Sequence, residues 1–484
     1  MFKSVLANNI LYSILSTVIL GVVNTIYPLV VGLVFSADVM GAFSFIFSWV
    51  ILLSIPISNG IAPSIARFIA ASNIKEIEKI VDDGIILTLI YSFLSLVGLI
   101  FICLFYNISA LDIFFIYITM FTNIIHYVYR KSLQGEENFI KLLKYEGIAF
   151  LIFLPASVTS LLFSPQEKIF GKIYILLVPI LIYHLIFGLL FSVKIIKSIL
   201  KFKKFRISKK TKKILRYAII VATGSLFSLG LSQIQIIISE KYLNFFEMGV
   251  LGFWNSAMAP INLIAISLGS LLLSRITNIQ KSNSGLALRF IRKVNWSFSS
   301  ILLPMLGISL ILVKSFPIWL DILSFFRYDM LVNWSVFVYF LINAINSLLG
   351  TPTSAYFSSS EQKVIIQPIL AFIRAIIVAI SWILLVPDFG MFGFALGLAI
   401  GGFFNNIFLQ ILLLLFTKGK SGFHLFILIL YMSFIFILLL YKIKFLILII
   451  TWTIVSIPLF LFGLIELYKL LIEKEYSIRY IDDI

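Results

Sequence analysis

The chain has 484 residues, of which 61% are hydrophobic and 12% are charged, and its formal net charge is +17. Soluble domains are about 45–50% apolar and about 25% charged, so this composition excludes an ordinary soluble protein. The positive charge does not predict a nucleic acid partner, because the Lys and Arg residues flank apolar stretches instead of forming a separate basic domain. It indicates attraction to the anionic lipids of a cytoplasmic membrane surface.

About fourteen apolar stretches have the length that a membrane-spanning helix needs, which is about 20 residues. In chain order the predicted spans are 7–34, 41–71, 77–105, 111–135, 142–163, 172–198, 215–240, 247–274, 290–313, 330–357, 364–387, 389–416, 422–441 and 445–470. Short connectors join them and leave little sequence for a soluble domain. We therefore predict an all-α integral membrane protein with about 14 transmembrane helices.

The connectors alternate in charge along the chain. Of the 38 Lys and Arg residues, 30 lie on one set of alternate connectors and ends, 7 lie on the opposite set, and Arg374 lies alone inside a span. Cytoplasmic loops carry the excess of positive residues in membrane proteins. This bias predicts a multi-pass protein of the inner, or cytoplasmic, cell membrane with both termini in the cytoplasm.

Two pairs of landmarks indicate an internal repeat. Met40-Gly41 opens the second span and Arg67 closes it, whereas Met248-Gly249 opens the eighth span and Arg275 closes it. Both landmarks are displaced by 208 residues, from 40 to 248 and from 67 to 275. The longest basic connector, about 199–214, separates the two copies.

Six spans per copy would insert both copies with the same orientation, related by a pseudo-two-fold axis along the membrane normal, as in several transporter folds. We therefore predict an N-terminal lobe over 1–205 with spans one to six and a C-terminal lobe over 206–417 with spans seven to twelve. The last two spans and a cytoplasmic tail occupy 418–484.

Ionisable residues at membrane depth cost at least about 2.5–3.5 kcal/mol each, so they usually face a cavity or a partner. The arginines are the best ligand candidates, because a guanidinium carries a fork of donors suited to phosphate oxygens. Three of them, Arg67, Arg130 and Arg275, also lie near the cytoplasmic ends of their spans. The alternative to ligand binding is that these side chains extend toward the lipid headgroups. Arg374 lies well inside its span, with Gln367 on the same face, and this position favours a functional role.

Polar residues also recur at helical spacing along the first, fourth, seventh and tenth spans. Such stripes either line a hydrated cavity or pack helices together, and four of them favour a cavity. The predicted substrate-binding residues are Arg67, Arg130, Arg374, Arg275, Asn24, Gln233, Gln235, Asn255, Asn343 and His126.

The sequence predicts no catalytic residue, no cofactor and no metal site. His184 and His424 have no partners at ligand spacing, and His126 is either a proton-gating residue or a hydrogen-bonded packing residue. Glu146 is expected to pair with its neighbour Lys144 at the membrane interface. No nucleotide-binding motif is found, so the energy for any transport would come from an ion gradient or from consumption of the substrate.

The chain resembles the polysaccharide flippases of the multidrug, oligosaccharidyl-lipid and polysaccharide exporter superfamily. The resemblance starts at 34–71, where a short acidic loop precedes Met40-Gly41, an aromatic-rich span and the sequence Ile65–Ala70. Ser232–Gln235 followed by Glu247–Gly249 resembles the opening of the second lobe in that family. The resemblance covers essentially the whole chain.

The resemblance implies an O-antigen-type flippase that works as a monomer by alternating access. Two six-helix lobes would enclose a cationic central cavity for the headgroup of a polyprenyl-diphosphate-linked oligosaccharide, with membrane lipids around the protein. A proton or a monovalent cation is the candidate coupling ion. Family members often have an acidic residue where this chain has Gln235, and peptidoglycan-precursor flippases have Arg where it has Asn24, so the substrate and the ion stay open.

Two other functions remain as alternatives. A multidrug or toxin cation antiporter of the same superfamily would need an acidic residue deep in a lobe, and the sequence indicates none in the middle of a span. A membrane-embedded glycan polymerase or glycosyltransferase would need catalytic acids in a sizeable external loop. The largest predicted external loop, about 314–329, offers only Asp321 and Asp329, so we expect that the protein is not an enzyme.

Overall fold

The computed structural model describes residues 2–70, 72, 74–106, 109–163, 173–191, 209–282, 284–320, 334–359, 363–416 and 456–466. These residues form helices joined by short turns, and no strand occurs among them. The prediction of an all-α membrane protein is therefore confirmed.

Contacts between helices divide the chain into two compact units, Met1–Ala257 and Met258–Ile484. The N-terminal unit contains α1 (Phe2–Gly21), α2 (Tyr27–Val34), α3 (Ala37–Ile55), α4 (Ala62–Ala70), α5 (Ile74–Tyr106), α6 (Ala110–Gly135), α7 (Phe139–Phe163), α8 (Tyr174–Leu190), α9 (Lys209–Ser228), α10 (Gly230–Ser239) and the start of α11 (Phe245–Ser282). The C-terminal unit contains the rest of α11, α12 (Ser284–Leu320), α13 (Trp334–Ser358), α14 (Ile366–Phe389), α15 (Met391–Phe416) and α16 (Ser456–Glu466).

Within the described part of the chain, eight helical stretches are long and apolar enough to cross a membrane, and one bent pair of helices makes a ninth. The chain is therefore a multi-pass membrane protein. Span 422–441 and most of span 445–470 lie outside the described residues. The count of 14 spans and the lobe boundaries stay predictions.

Three of the predicted spans are not uniform helices. A π-helical turn, Val22–Ile26, joins α1 to α2, and a second one, Pro56–Ile61, joins α3 to α4. The second begins at a proline, which has no N–H for the regular helical ladder. The seventh span, predicted as one helix, is bent by 48° between α9 and α10. Such turns re-aim side chains within a span and often occur at functional sites.

The landmarks of the predicted repeat contact each other in the N-terminal unit, where α3 crosses the start of α11. A Cβ atom on Gly41 would overlap the carbonyl oxygen of Phe245, and a Cβ atom on Gly249 would overlap the carbonyl oxygen of Ala37. Ala37 and Phe245 are separated by the same 208 residues as the two glycines. The contact is thus reciprocal, and it brings two backbones together in the way that small residues permit in membrane helices.

Substituting either glycine of this crossing should destabilise the N-terminal unit. We expect Gly41→Ala and Gly249→Ala each to lower the free energy of unfolding by about 1–3 kcal/mol, the usual cost of overpacking. Thermal unfolding of the purified protein in detergent measures the effect.

Gly98→Ala is the matched control, because no atom lies within 4 Å of a Cβ placed at Gly98 on α5. We expect it to leave stability unchanged or to raise it by up to about 1 kcal/mol, since alanine is the better helix former. A Gly41→Ala protein as stable as the control would contradict the backbone contact.

Candidate functional site

A buried polar cluster lies where α6, α7 and α8 meet α1 in the N-terminal unit. At its centre is Glu146 on α7, which is fully buried. Arg130 donates from Nη1 to its Oε1 at 2.5 Å, His126 Nε2 lies 3.1 Å from the same oxygen, and the Tyr183 hydroxyl donates to Oε2. We call this group the Glu146 cluster; it consists of Ser16, Thr17, His126, Arg130, Glu146, Tyr183 and His184.

Helical spacing explains how α6 contributes to the cluster. His126 and Arg130 are four residues apart and therefore lie on one face. Asn123 and Thr119 continue the same face, and all four side chains are buried. The polar stripe predicted on the fourth span therefore exists, and it faces the packed interior of the unit.

Arg130 also ties α1 to the cluster. It donates from Nη1 to the Ser16 carbonyl oxygen at 3.3 Å and from Nη2 to the Thr17 hydroxyl at 3.0 Å. Its side chain is 4% exposed and that of Glu146 is 0% exposed, so the pair is enclosed by protein. Removing one partner of a buried pair leaves an uncompensated charge, which is strongly destabilising. The positive charge of Arg130 is thus balanced inside the unit.

Two histidines complete the cluster. His126 Nδ1 lies 2.6 Å from His184 Nδ1, and both residues are fully buried. The sequence analysis found no partner for His184. The two histidines are 58 positions apart, and only the packing of α6 on α8 brings them together. Among the described residues no group of three or more His, Cys, Asp and Glu side chains has the arrangement of a metal site.

The expected pairing of Glu146 with Lys144 at the membrane interface is wrong. Lys144 is exposed, whereas Glu146 is paired with Arg130 from another helix. Neighbours two positions apart on a helix do not face each other, so Lys144 cannot follow Glu146 into the interior. Glu146 is therefore a buried acid inside a span.

A second site lies in the C-terminal unit, where Arg374 on α14 contacts Asn343 on α13. Arg374 is 9% exposed and donates from Nη2 to Asn343 Oδ1 at 3.0 Å. Its Nε has no hydrogen-bond partner among the described residues. Gly402 on α15 leaves room for the pair, because a Cβ there would lie 2.6 Å from Asn343 Oδ1. Gln367, predicted on the face of Arg374, instead donates to the Ser354 carbonyl oxygen at 3.1 Å.

The C-terminal unit contains further buried amides, of which the sequence interpretation missed Asn295, Asn406 and Gln410. Asn295 and Gln410 both donate to the Thr353 hydroxyl, at 2.9 Å and 3.3 Å, and Asn406 donates to Asn346 at 3.4 Å. Asn406 and Gln410 are four residues apart on α15, a spacing that would have predicted a polar face.

The other predicted arginines lie beside aromatic rings. Arg67 is exposed, and its guanidinium carbon lies 4.4 Å from the ring centre of Tyr217 on α9. Arg275, in the C-terminal unit, lies 5.3 Å from the ring centre of Phe290. Gly60, on the face of Arg67, packs against α9, because a Cβ there would lie 2.7 Å from the Cβ of Ala222.

The remaining predicted residues are spread over the N-terminal unit. Gln235 on α10 is fully buried, and neither atom of its amide group has a hydrogen-bond partner among the described residues. Gln233 donates to Ser232 at 3.4 Å. Asn24 lies in the first π-helical turn, within hydrogen-bonding reach of Tyr127, and Asn255 on α11 is partly buried.

Removing the charge of Glu146 should destabilise the N-terminal unit. We expect Glu146→Gln to lower the free energy of unfolding by about 3–5 kcal/mol, because Arg130 would remain buried without a counter-charge. The double variant Arg130→Met, Glu146→Gln should lose less than the sum of the two single variants, since neither charge then remains. Thermal unfolding in detergent measures all three.

Lys144→Gln serves as the control, because Lys144 is exposed on the same helix as Glu146. We expect it to change the free energy of unfolding by less than about 0.5 kcal/mol. If Lys144→Gln were as damaging as Glu146→Gln, the interfacial pair would be the relevant one.

Comparison with known proteins identifies a sequence family and proteins of similar fold. Residues 6–276 match the model of the family described as polysaccharide biosynthesis protein. No curated protein has a matching sequence.

The fold is similar to that of the lipid II flippase MurJ in an inward closed conformation, with 18% identity, a TM-score of 0.58, and coverage of 96% of this chain and 100% of that one. It is also similar to the eukaryotic MATE transporter AtDTX14, with 15% identity, a TM-score of 0.54, and coverage of 85% and 97%. A third similar structure is an inward-facing multidrug resistance MATE transporter of the MOP superfamily. It has 14% identity and a TM-score of 0.52, and the match covers 84% of this chain and 99% of that one.

Proposed function

The chain belongs to the polysaccharide biosynthesis protein family, and on that premise we propose that it is a flippase for a lipid-linked oligosaccharide. It moves a polyprenyl-diphosphate-linked glycan of the O-antigen type from the cytoplasmic to the outer leaflet of the cell membrane by alternating access. The observation that carries this proposal is the match to a polysaccharide biosynthesis family in a chain whose fold is similar to that of a lipid II flippase.

The physical chemistry of the task fits such a chain. A sugar headgroup cannot cross about 30 Å of hydrocarbon without a polar path, because lipid tails offer no hydrogen bonds. The described helices supply polar groups within the spans, including Arg374 and the Asn343 amide that it contacts. In this proposal both termini lie in the cytoplasm, and the protein works as a monomer.

The arginines have different roles in this proposal. Arg67 is exposed, and Arg374 has a donor atom, Nε, without a partner. Each side chain, taken by itself, suits phosphate oxygens, which forked guanidinium donors bind well. Arg275 is a further candidate ligand. Arg130 already binds the carboxylate of Glu146, so its role is to hold helices together.

A multidrug cation antiporter is the second candidate function, and buried Glu146 is the observation that favours it. Such an exporter exchanges a cation for a drug at a buried carboxylate. Glu146, however, accepts hydrogen bonds from Arg130, His126 and Tyr183, which occupy both of its oxygens. A carboxylate already neutralised by Arg130 is a poor site for a cationic drug.

The flippase proposal predicts that two arginines are needed for transfer. We expect Arg67→Ala combined with Arg374→Ala to slow transfer about 100-fold or more, because each hydrogen bond to a charged group contributes about 1.5–3 kcal/mol. Transfer is measured in proteoliposomes with a fluorescent polyprenyl-diphosphate-linked oligosaccharide, whose label in the outer leaflet is quenched by an impermeant reductant.

Arg216→Ala is the matched control, since Arg216 is another exposed arginine, next to Tyr217 on α9. It should transfer the glycan at close to the wild-type rate. Normal transfer by the double variant would refute the assignment of Arg67 and Arg374. Export of a cationic dye by the wild type, without glycan transfer, would favour the antiporter.

A further inference from the structure

Within the N-terminal unit, the first predicted copy of the repeat contacts the start of the second copy toward both ends of the second span. At one end, Gly41 and Gly249 bring the backbones of α3 and α11 together. Toward the other end, a Cβ atom on Gly60 would lie 2.7 Å from the Cβ of Ala222 on α9. In the predicted topology the first contact lies near the outer side of the membrane and the second nearer the cytoplasm. The two copies therefore meet at two levels of the membrane.

A buried hydrogen bond joins the copies at the cytoplasmic end. Thr211, in the first turn of α9, donates from its hydroxyl to Asp83 Oδ2 on α5 at 2.7 Å. Thr211 is 1% exposed and Asp83 is 8% exposed, so water competes little for this bond. Arg67, in the last turn of α4, lies over the ring of Tyr217 on the same helix α9. Two pairs of side chains thus connect the copies here.

The two levels are held together by different kinds of contact. At the outer level each glycine faces a backbone carbonyl oxygen of the other copy, so the helices themselves are in contact. At the cytoplasmic end, Asp83 and Thr211 connect the copies through side chains, which separate by rotation about their own torsion angles. A hydrogen bond to a charged group shifts an equilibrium by about 10–100-fold. Losing this one bond therefore changes a conformational equilibrium without dismantling a helix.

We propose that Asp83 and Thr211 form a latch that keeps the cytoplasmic end of the contact between the copies closed. The latch rests on the proposed function, because alternating access requires one end of that contact to part while the other stays closed. Breaking the hydrogen bond frees the start of α9 from α5. The contact of Gly60 with Ala222 then opens to water from the cytoplasm, whereas the glycine crossing of α3 and α11 stays closed.

Arg67 connects the latch to the substrate. It is one of the two arginines proposed to bind the diphosphate, and its guanidinium carbon lies 4.4 Å from the ring centre of Tyr217 in the closed arrangement. A ligand shifts such an equilibrium by binding one state more tightly. A phosphate that binds Arg67 in place of Tyr217 removes one of the contacts at the cytoplasmic end. Substrate arriving from the cytoplasm therefore favours release of the latch.

The reaction of a buried thiol with a water-soluble methanethiosulfonate reports the opening. The reporters are placed in a protein that lacks Cys103, the only cysteine of the chain. Ala222→Cys puts the inner reporter on α9, at the contact with the second π-helical turn. Ser44→Cys puts the outer reporter on α3, where a Cβ atom on Gly252 would overlap the serine hydroxyl. Each reporter is thus covered by the other copy.

Thr211→Val removes the donor of the latch and keeps the shape of the side chain. In the purified protein we expect it to raise the reaction rate of the inner reporter about tenfold or more and to leave the outer reporter unchanged. Thr211→Ser, which keeps the hydroxyl, should react at the original rate. If Thr211→Val does not fold, Asp83→Asn replaces it. That change weakens the bond by removing the charge, and a smaller increase of the same kind is expected.

Thr88→Val is the matched control, because Thr88 is a buried threonine of α5 whose hydroxyl donates to the Gly84 carbonyl oxygen of its own helix. It removes the same group without touching the latch, so both reporters should react at the original rate. Faster reaction of both reporters in Thr211→Val would indicate general loosening and overturn the proposal. An unchanged rate at the inner reporter would overturn it as well.

A covalent latch separates this inference from the proposed function. In the protein without Cys103, Asp83→Cys and Thr211→Cys are joined by a short bis-methanethiosulfonate cross-linker. In proteoliposomes the cross-linked protein should lose transfer of the fluorescent polyprenyl-diphosphate-linked oligosaccharide, and cleavage of the cross-link with dithiothreitol should restore it. Selective opening at the inner reporter, without transfer by the wild type, would support the latch and refute the flippase. Continued transfer by the cross-linked protein would refute the latch.

Discussion

The absence of water from the hydrocarbon core is the constraint on which the structure depends, and the pair of Arg130 and Glu146 shows its effect most directly. A charged group inside a span must find a counter-charge and hydrogen-bond partners within the protein. Here the carboxylate of Glu146 accepts hydrogen bonds from three side chains, and the guanidinium of Arg130 also donates to α1. A single acidic residue therefore sets how four helices meet.

The two units meet the same constraint with different chemistry. The N-terminal unit encloses a compensated ion pair with two histidines beside it, whereas in the C-terminal unit Arg374 donates to the neutral amide of Asn343. A guanidinium whose partners are neutral has an uncompensated charge that an anionic ligand can balance. The charge of a guanidinium paired with a carboxylate is already balanced. This difference supports the proposal that Arg374 binds the ligand, whereas Arg130 pairs helices.

Close backbone contacts supply the other part of the architecture. The crossing of α3 and α11 depends on glycine at positions 41 and 249, and the 208-residue offset that relates them also relates the backbone groups they contact. Packing and van der Waals contact drive helix association in lipid, where the hydrophobic effect between helices is lost. Small residues at such a crossing therefore determine how closely two helices can approach.

The sequence by itself determined that the protein is all-helical and membrane-embedded, because a period of 3.6 residues, span length and loop charge are local properties of the chain. It also predicted the polar face of α6, and it named Arg374 and Asn343 as candidate residues without pairing them. Only the tertiary structure decided the partners of Glu146 and the contact of His126 with His184. Those partners come from different helices, and which buried charges meet depends on packing between segments distant in sequence.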